Sequence, residues 1–130
     1  MLGRVLLVED EALVRLLAAE ALRESGYSVV EAATGDEAAV LLLGPARFDL
    51  LLTDVRMPGV LDGLNVATKA RERQPGIPIL VVSGYSTGLA RRLEELSPPS
   101  AFLQKPYHLD ALLDATRQLT SLNTQNLTNH

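Results

Sequence analysis

The sequence predicts an α/β domain, an open five-stranded parallel sheet with helices wound onto both faces. Three observations predict it. Short apolar runs alternate along the chain with stretches of helical periodicity, the pattern of successive βαβ units. The runs Leu50-Leu51-Leu52 and Ile79-Leu80-Val81-Val82 are apolar throughout, as strands are when both faces of a sheet are covered. Polar or charged groups stand where such runs stop: Glu9-Asp10, Asp54, Ser83 and Lys105. In parallel α/β sheets that carboxyl edge is where ligands bind.

Arg4 to Val8 reads as the first strand. From Glu11 to Ser25, Val14, Leu17, Ala18, Ala21 and Leu22 recur at helical spacing, with Glu20 and Arg23 opposite and Gly26 as a stop. Tyr27 to Glu31 is a second strand. Thr34 is placed to cap the next helix, with Glu37 completing a capping box and Gly44-Pro45 ending it. Leu50 to Thr53 is the third strand, and Asp62 or Gly63 opens a third helix that runs to Arg73. Ile79 to Val82 is the fourth strand. A short fourth helix starts at Ser86 or Thr87 and is broken by Pro98-Pro99. Ala101 to Gln104 is the fifth strand, and His108 to Leu122 is a closing helix. These elements define one domain, residues 1–122, followed by a polar tail or linker stub, residues 123–130. Right-handed crossovers among five such units allow the flavodoxin-like strand order 2-1-3-4-5. That order makes strands 1 and 3 neighbours, so Glu9, Asp10 and Asp54 meet.

Composition narrows the function. At 130 residues, 47% of them hydrophobic, the chain holds one well-filled core and no second domain of ordinary size. A net charge of −4 without a Lys/Arg stripe argues against direct DNA contact. The absence of cysteine excludes disulfides and thiolate metal sites and fits a cytoplasmic location. The N-terminal apolar run is too short for a signal peptide or membrane span, so no membrane partner is expected.

Three acids and a lysine converging on one edge point to a divalent cation and a phosphoryl group. Crowded carboxylates repel one another unless a cation is present. Mg²⁺ prefers oxygen ligands and retains waters and phosphate oxygens in its shell. Phosphoryl transfer chiefly requires positioning and charge neutralisation, which a dication and Lys105 supply. Taken singly, each residue has a structural explanation. Asp54 suits a turn, Glu9-Asp10 an N-cap pair in which Asp10 partly caps the first helix, Ser83 a cap, and Lys105 a solvated charge. Jointly, four such coincidences at one edge are improbable.

The stretches Val8-Glu9-Asp10-Glu11, Thr53-Asp54-Val55-Arg56-Met57-Pro58-Gly59, Val82-Ser83-Gly84-Tyr85 and Phe102-Leu103-Gln104-Lys105-Pro106 stand in the order and at the strand ends of a response regulator receiver domain. The chain resembles that family from Arg4 to about Leu122. Its last two motifs are most similar to receivers of hybrid histidine kinases and to single-domain response regulators. The resemblance implies that Asp54 accepts a phosphoryl group from a histidine kinase or histidine phosphotransfer protein, with Mg²⁺, or Mn²⁺ as a substitute. It implies that Glu9, Asp10, Asp54 and the Arg56 carbonyl hold the metal. Ser83 and Lys105 would bind the phosphoryl group, Ser83 and Phe102 would form the switch, and Lys105-Pro106 would be a cis peptide. The implied output surface comprises the fourth helix, the fifth strand and the closing helix, and it would bind a downstream target or a second copy of the chain. Such a module is not an enzyme, beyond its own phosphorylation and dephosphorylation.

Rival readings fit less well. A nucleotide-binding enzyme wants a glycine-rich first turn, where Glu9-Asp10-Glu11 would repel a pyrophosphate. An aspartate-nucleophile phosphatase wants an acid two residues after the nucleophile, where Arg56 stands. A pseudo-receiver, binding partners without phosphorylation, has no need of Glu9, Asp10, Asp54, Ser83 and Lys105 together. Two departures from the family pattern stand out. The loop Gly59 to Gly63 is one residue longer than is common, and Pro98-Pro99 replaces a glycine-containing approach to the fifth strand, implying a smaller switching motion.

Overall fold

A computed structural model describes residues 2–56, 61–84 and 96–128, with side chains through residue 121. Five strands form one parallel sheet: β1 (Arg4–Val8), β2 (Ser28–Ala32), β3 (Leu50–Asp54), β4 (Ile79–Ser83) and β5 (Ser100–Gln104). Their order is β2-β1-β3-β4-β5, as the sequence predicts. The helices are α1 (Ala12–Glu24), α2 (Gly35–Leu43), α3 (Gly63–Arg73) and α4 (Leu109–Thr128). The predicted helix from Ser86 or Thr87, including Arg91-Arg92 and Glu94-Glu95, and the Met57-Pro58-Gly59 turn lie outside the described residues.

Side chains of each strand alternate between two cores because successive residues point to opposite faces. Leu6, Val8, Leu51, Ile79 and Val81 face α2 and α3, where Leu42, Leu64, Val66 and Ala70 pack. Val5, Leu7, Leu50, Leu52, Leu80 and Val82 face α1 and α4, against Ala18, Leu22, Leu112 and Leu119. The central strands β3 and β4 are buried along their whole length. Truncating Leu51, fully buried at the middle of β3, to alanine would cost about 2–5 kcal/mol.

The helix ends sharpen several expectations. Thr34 accepts from the Glu37 backbone at 3.1 Å and caps α2. The reciprocal capping box occurs instead at α3. There Asp62 accepts from the Leu64 and Asn65 backbones, and the Asn65 side chain accepts from the Asp62 backbone. The N-cap of α1 is Glu11, without a side-chain cap, so Asp10 does not fill the partial capping role expected of it. Leu17, expected on the buried face of α1, is 46% exposed, and the covered positions are Ala18, Ala19 and Leu22. Helical spacing marks which residues share a stripe, but packing covers only the part lying over the sheet. The closing helix continues past Leu122 to Thr128, a stretch of the expected tail that holds neither proline nor glycine.

Candidate functional site

The site is built from the carboxyl ends of four parallel strands, β1, β3, β4 and β5. Val8 pairs with Thr53 and Asp54 with Val82. Register therefore places Glu9, the residue after β1, beside Asp54, the last residue of β3. On the other side Ser83 pairs with Gln104, and the Lys105 amide donates to the Ser83 carbonyl at 2.9 Å. Lys105 thus leaves the sheet next to the acids.

Its ammonium bridges two of them. Lys105 Nζ lies 2.5 Å from Glu9 Oε1 and 2.6 Å from Asp54 Oδ2. Both carboxylates are buried, whereas Asp10 is exposed. The second oxygens are also held: Glu9 Oε2 accepts from the Glu11 backbone at 3.0 Å, and Asp54 Oδ1 from the Arg56 backbone at 3.1 Å. One carboxylate oxygen from each of Glu9, Asp10 and Asp54 falls within 4.8 Å of the others. All are hard oxygen donors, the type that Mg²⁺ takes, so the donor set fits the ion that the sequence implies.

Burial dominates the electrostatics. It pushes the Glu9 carboxyl above its ordinary value. Hydrogen bonds from Lys105 and the Glu11 backbone oppose that rise, and the negative charge of Asp54 adds to it. For Lys105, burial alone would favour the neutral amine, but hydrogen bonding and attraction from Asp54 and Glu9 outweigh it and raise the pKa. The ammonium is therefore held charged. Tyr107, next along the chain after the cis Lys105-Pro106 bond, has its phenol pushed up by burial and then by Glu9.

Of the residues singled out in the sequence, Glu9, Asp10, Asp54 and Lys105 are brought together. The Arg56 backbone joins them through its amide bond to Asp54. Ser83 ends β4, buried, at the same edge. Phe102 lies on the edge strand β5, opposite Val81 and 39% exposed. Three contributors have no role assigned to them by the sequence motifs. Arg15 donates to the Glu9 carbonyl at 2.7 Å and pairs with Glu31 at 3.5 Å. Thr53 donates its hydroxyl to the Asp54 carbonyl at 2.9 Å. Tyr107 lines, with Val14, Leu17, Lys105, Pro106 and Leu109, an apolar recess of about 400 Å³ beside the acids. Arg15 lies on the turn of α1 nearest β1, which was the available signal. Thr53 and Tyr107 offered only adjacency to Asp54 and Lys105.

Residues 5–117 match the family model described as the response regulator receiver domain. The chain is 37% identical over 117 residues to the sensor kinase CckA of Brucella abortus (strain 2308), covering 88% of this chain but only 12% of the kinase's length. It is 31% identical over 116 residues to the response regulator receiver protein CpdR of the same strain, covering 89% of this chain and 95% of that protein. A crystal structure of the receiver domain from the hybrid histidine kinase CckA is 39% identical. It superposes with a TM-score of 0.75 over 91% of this chain and 99% of that one.

Proposed function

Since the chain belongs to the response regulator receiver family of two-component signalling, we propose that Asp54 is its phosphoacceptor, charged by a phosphohistidine on a histidine kinase or histidine phosphotransfer protein. The observation that carries this reading is the Lys105 ammonium bridging Glu9 and Asp54 at the sheet's carboxyl edge. An Asp54 carboxylate oxygen attacks phosphorus, the bond to the donor imidazole breaks, and its electron pair stays on the imidazole nitrogen. Lys105 lies within reach of both the nucleophile and the oxygens that gain charge. The Arg56 amide keeps the second Asp54 oxygen oriented. Phosphoryl transfer depends mainly on such positioning and charge neutralisation.

Glu9, Asp10, Asp54 and the Arg56 carbonyl are the groups that would hold Mg²⁺. One carboxylate oxygen from each acid lies within 4.8 Å of the others, so the three would hold the ion directly or through water. When bound, the metal supplies charge neutralisation for the incoming phosphoryl oxygens. The apolar recess beside Lys105 gives the histidine-bearing partner a surface adjoining the nucleophile. The domain itself turns over no substrate beyond its own acyl phosphate. Among the described residues no helix is long and apolar enough to cross a membrane. The cytoplasmic location of the reaction rests on the phosphorelay reading itself.

For output, the buried Ser83 hydroxyl donates to the bound phosphoryl group, and Phe102 turns from its half-exposed position toward the space released. This alters the surface of the fourth predicted helix, β5 and α4, where a target or a second copy would bind. Phosphorylation biases two existing states rather than building a new fold.

Intact-mass measurement after acetyl phosphate and Mg²⁺ treatment should show one added phosphoryl, lost in Asp54→Ala and without the metal. Equal labelling of Asp54→Ala removes the assignment. No labelling of the wild type by acetyl phosphate or by any phosphohistidine donor favours a pseudo-receiver that works through protein contacts alone. Backbone NMR with beryllofluoride should move residues 87–107, and a response confined to Asp54 and its immediate loop would refute the switch.

A further inference from the structure

Behind its reacting face, Asp54 is held by the backbone as firmly as its carboxylate is held in front. The Val55 amide donates to the Val82 carbonyl at 3.1 Å, and the Gly63 amide returns to the Val55 carbonyl at 2.9 Å. The fully buried Thr53 hydroxyl donates to the Asp54 carbonyl at 2.9 Å. The first residue of α3 presses on the same carbonyl. A methyl group built on Gly63 would overlap it and would lie 3.0 Å from Thr53 Oγ1. Gly35, the first residue of α2, is also too close to the Leu61 carbonyl to carry a methyl group, which would overlap its oxygen.

We infer that Thr53 is a positioning residue for the phosphoryl-transfer step, fixing the Asp54 peptide through its hydroxyl while the bare Gly63 lets α3 close over it. This rests on the reading of Asp54 as phosphoacceptor. The Asp54 carbonyl is the acceptor at stake. Its peptide plane is joined to the Asp54 Cα, so its orientation is coupled to that of the Cα–Cβ bond and hence to where the carboxylate meets Lys105 Nζ. Without the hydroxyl, a carbonyl shut in by Gly63 has lost a hydrogen bond and gains by rotating toward another donor. A rotation that moves the carboxylate by a fraction of an ångström disturbs the geometry of attack, and misplacements near 1 Å cost up to about 100-fold in rate. The side chain of Thr53 never touches the phosphoryl group; it acts through Asp54.

The test compares Thr53→Val, which keeps shape and removes the hydroxyl, with Thr53→Ser, which keeps the hydroxyl and removes a methyl. Labelling by acetyl phosphate is followed against Mg²⁺ concentration and scaled to the folded fraction from circular dichroism. The expected result is a saturating rate about tenfold lower in Thr53→Val and within about twofold of wild type in Thr53→Ser. Because Asp54 is also among the groups that would hold Mg²⁺, the half-saturating Mg²⁺ concentration should rise in Thr53→Val and stay near wild type in Thr53→Ser. A role in packing alone predicts the reverse order, because valine fills the site better than serine. A Thr53→Val rate equal to wild type, or one above that of Thr53→Ser, overturns the inference. If Thr53→Val does not fold, Thr53→Ser against Thr53→Ala makes the same comparison, and equal rates overturn it. Failure of the wild type to label at all would instead overturn the phosphoacceptor reading beneath it.

Discussion

The two edges of this sheet use similar side chains for opposite ends. At the amino edge, polar groups satisfy the backbone. Asp49 accepts from the Arg4 amide at 2.7 Å, and the Gln74 side chain both accepts from and donates to the Phe48 backbone, at 3.0 and 2.5 Å. Arg71 donates to the Ile77 and Pro99 carbonyls and to the Ser97 hydroxyl, tying the approach of β4 to that of β5. At the carboxyl edge, Glu9, Asp10, Asp54 and Lys105 instead face one another. Charge matched to fixed backbone dipoles is a structural solution. Charge gathered against charge leaves a site whose neutralisation would change if a cation or phosphoryl group arrived, and this difference sets the carboxyl edge apart from the amino edge.

The largest expected effect is at Lys105. Lys105→Ala leaves Glu9 and Asp54 buried and facing each other, and should cost about 3 kcal/mol in denaturant unfolding without metal. Saturating Mg²⁺ should recover more stability in this variant than in the wild type. A loss independent of metal would mean that Lys105 is a packing residue like those of the other edge.

Asp10→Ala should remove most of the melting-point gain on adding Mg²⁺, a gain equivalent to about 2.7 kcal/mol at a hundredfold excess over the dissociation constant. Metal-free stability should hold or rise, because repulsion among the acids falls. A variant with the full Mg²⁺ response would show that the exposed Asp10 is no ligand.

Arg71 tests the opposite edge. Arg71→Ala breaks three hydrogen bonds and should cost about 1–3 kcal/mol, while the phosphorylation rate of the folded protein stays within about twofold. A large rate loss at unchanged stability would join the two edges and blur the contrast between them.

The smallest effect is the pH response of Glu9. Because its folded pKa is raised, the folded chain binds this proton more tightly than the unfolded chain. Its contribution is complete below pH 4.5 and is lost as pH rises through the folded value. Lys105, also raised, contributes fully below pH 10.5 and so does not vary in this window. Metal-free melting curves of wild type and Glu9→Gln should therefore diverge above pH 4.5, with the wild type losing stability relative to the variant. Parallel curves would contradict the burial cost assigned to Glu9.

The sequence by itself determined the sheet and which polar residues meet at its carboxyl edge. Apolar runs such as Leu50-Leu51-Leu52 carry their own burial pattern, and strand order follows from short right-handed crossovers, so Glu9, Asp10, Asp54, Ser83 and Lys105 could be assigned to one edge. Linear pattern also located the cap at Thr34 and narrowed the start of α3 to Asp62 or Gly63, because capping depends on residues three apart. Only the tertiary structure decided which acid is buried against Lys105 and which faces water, since Glu9 and Asp10 are adjacent carboxylates and the end of β1 points them in different directions. It alone decided that Leu17 is left exposed beside Tyr107 and that Gly63 bears on the Asp54 carbonyl. Those facts depend on contacts between distant segments, which hydrophobic period and residue type do not encode, whereas strand and helix formation depend on neighbours a few residues away.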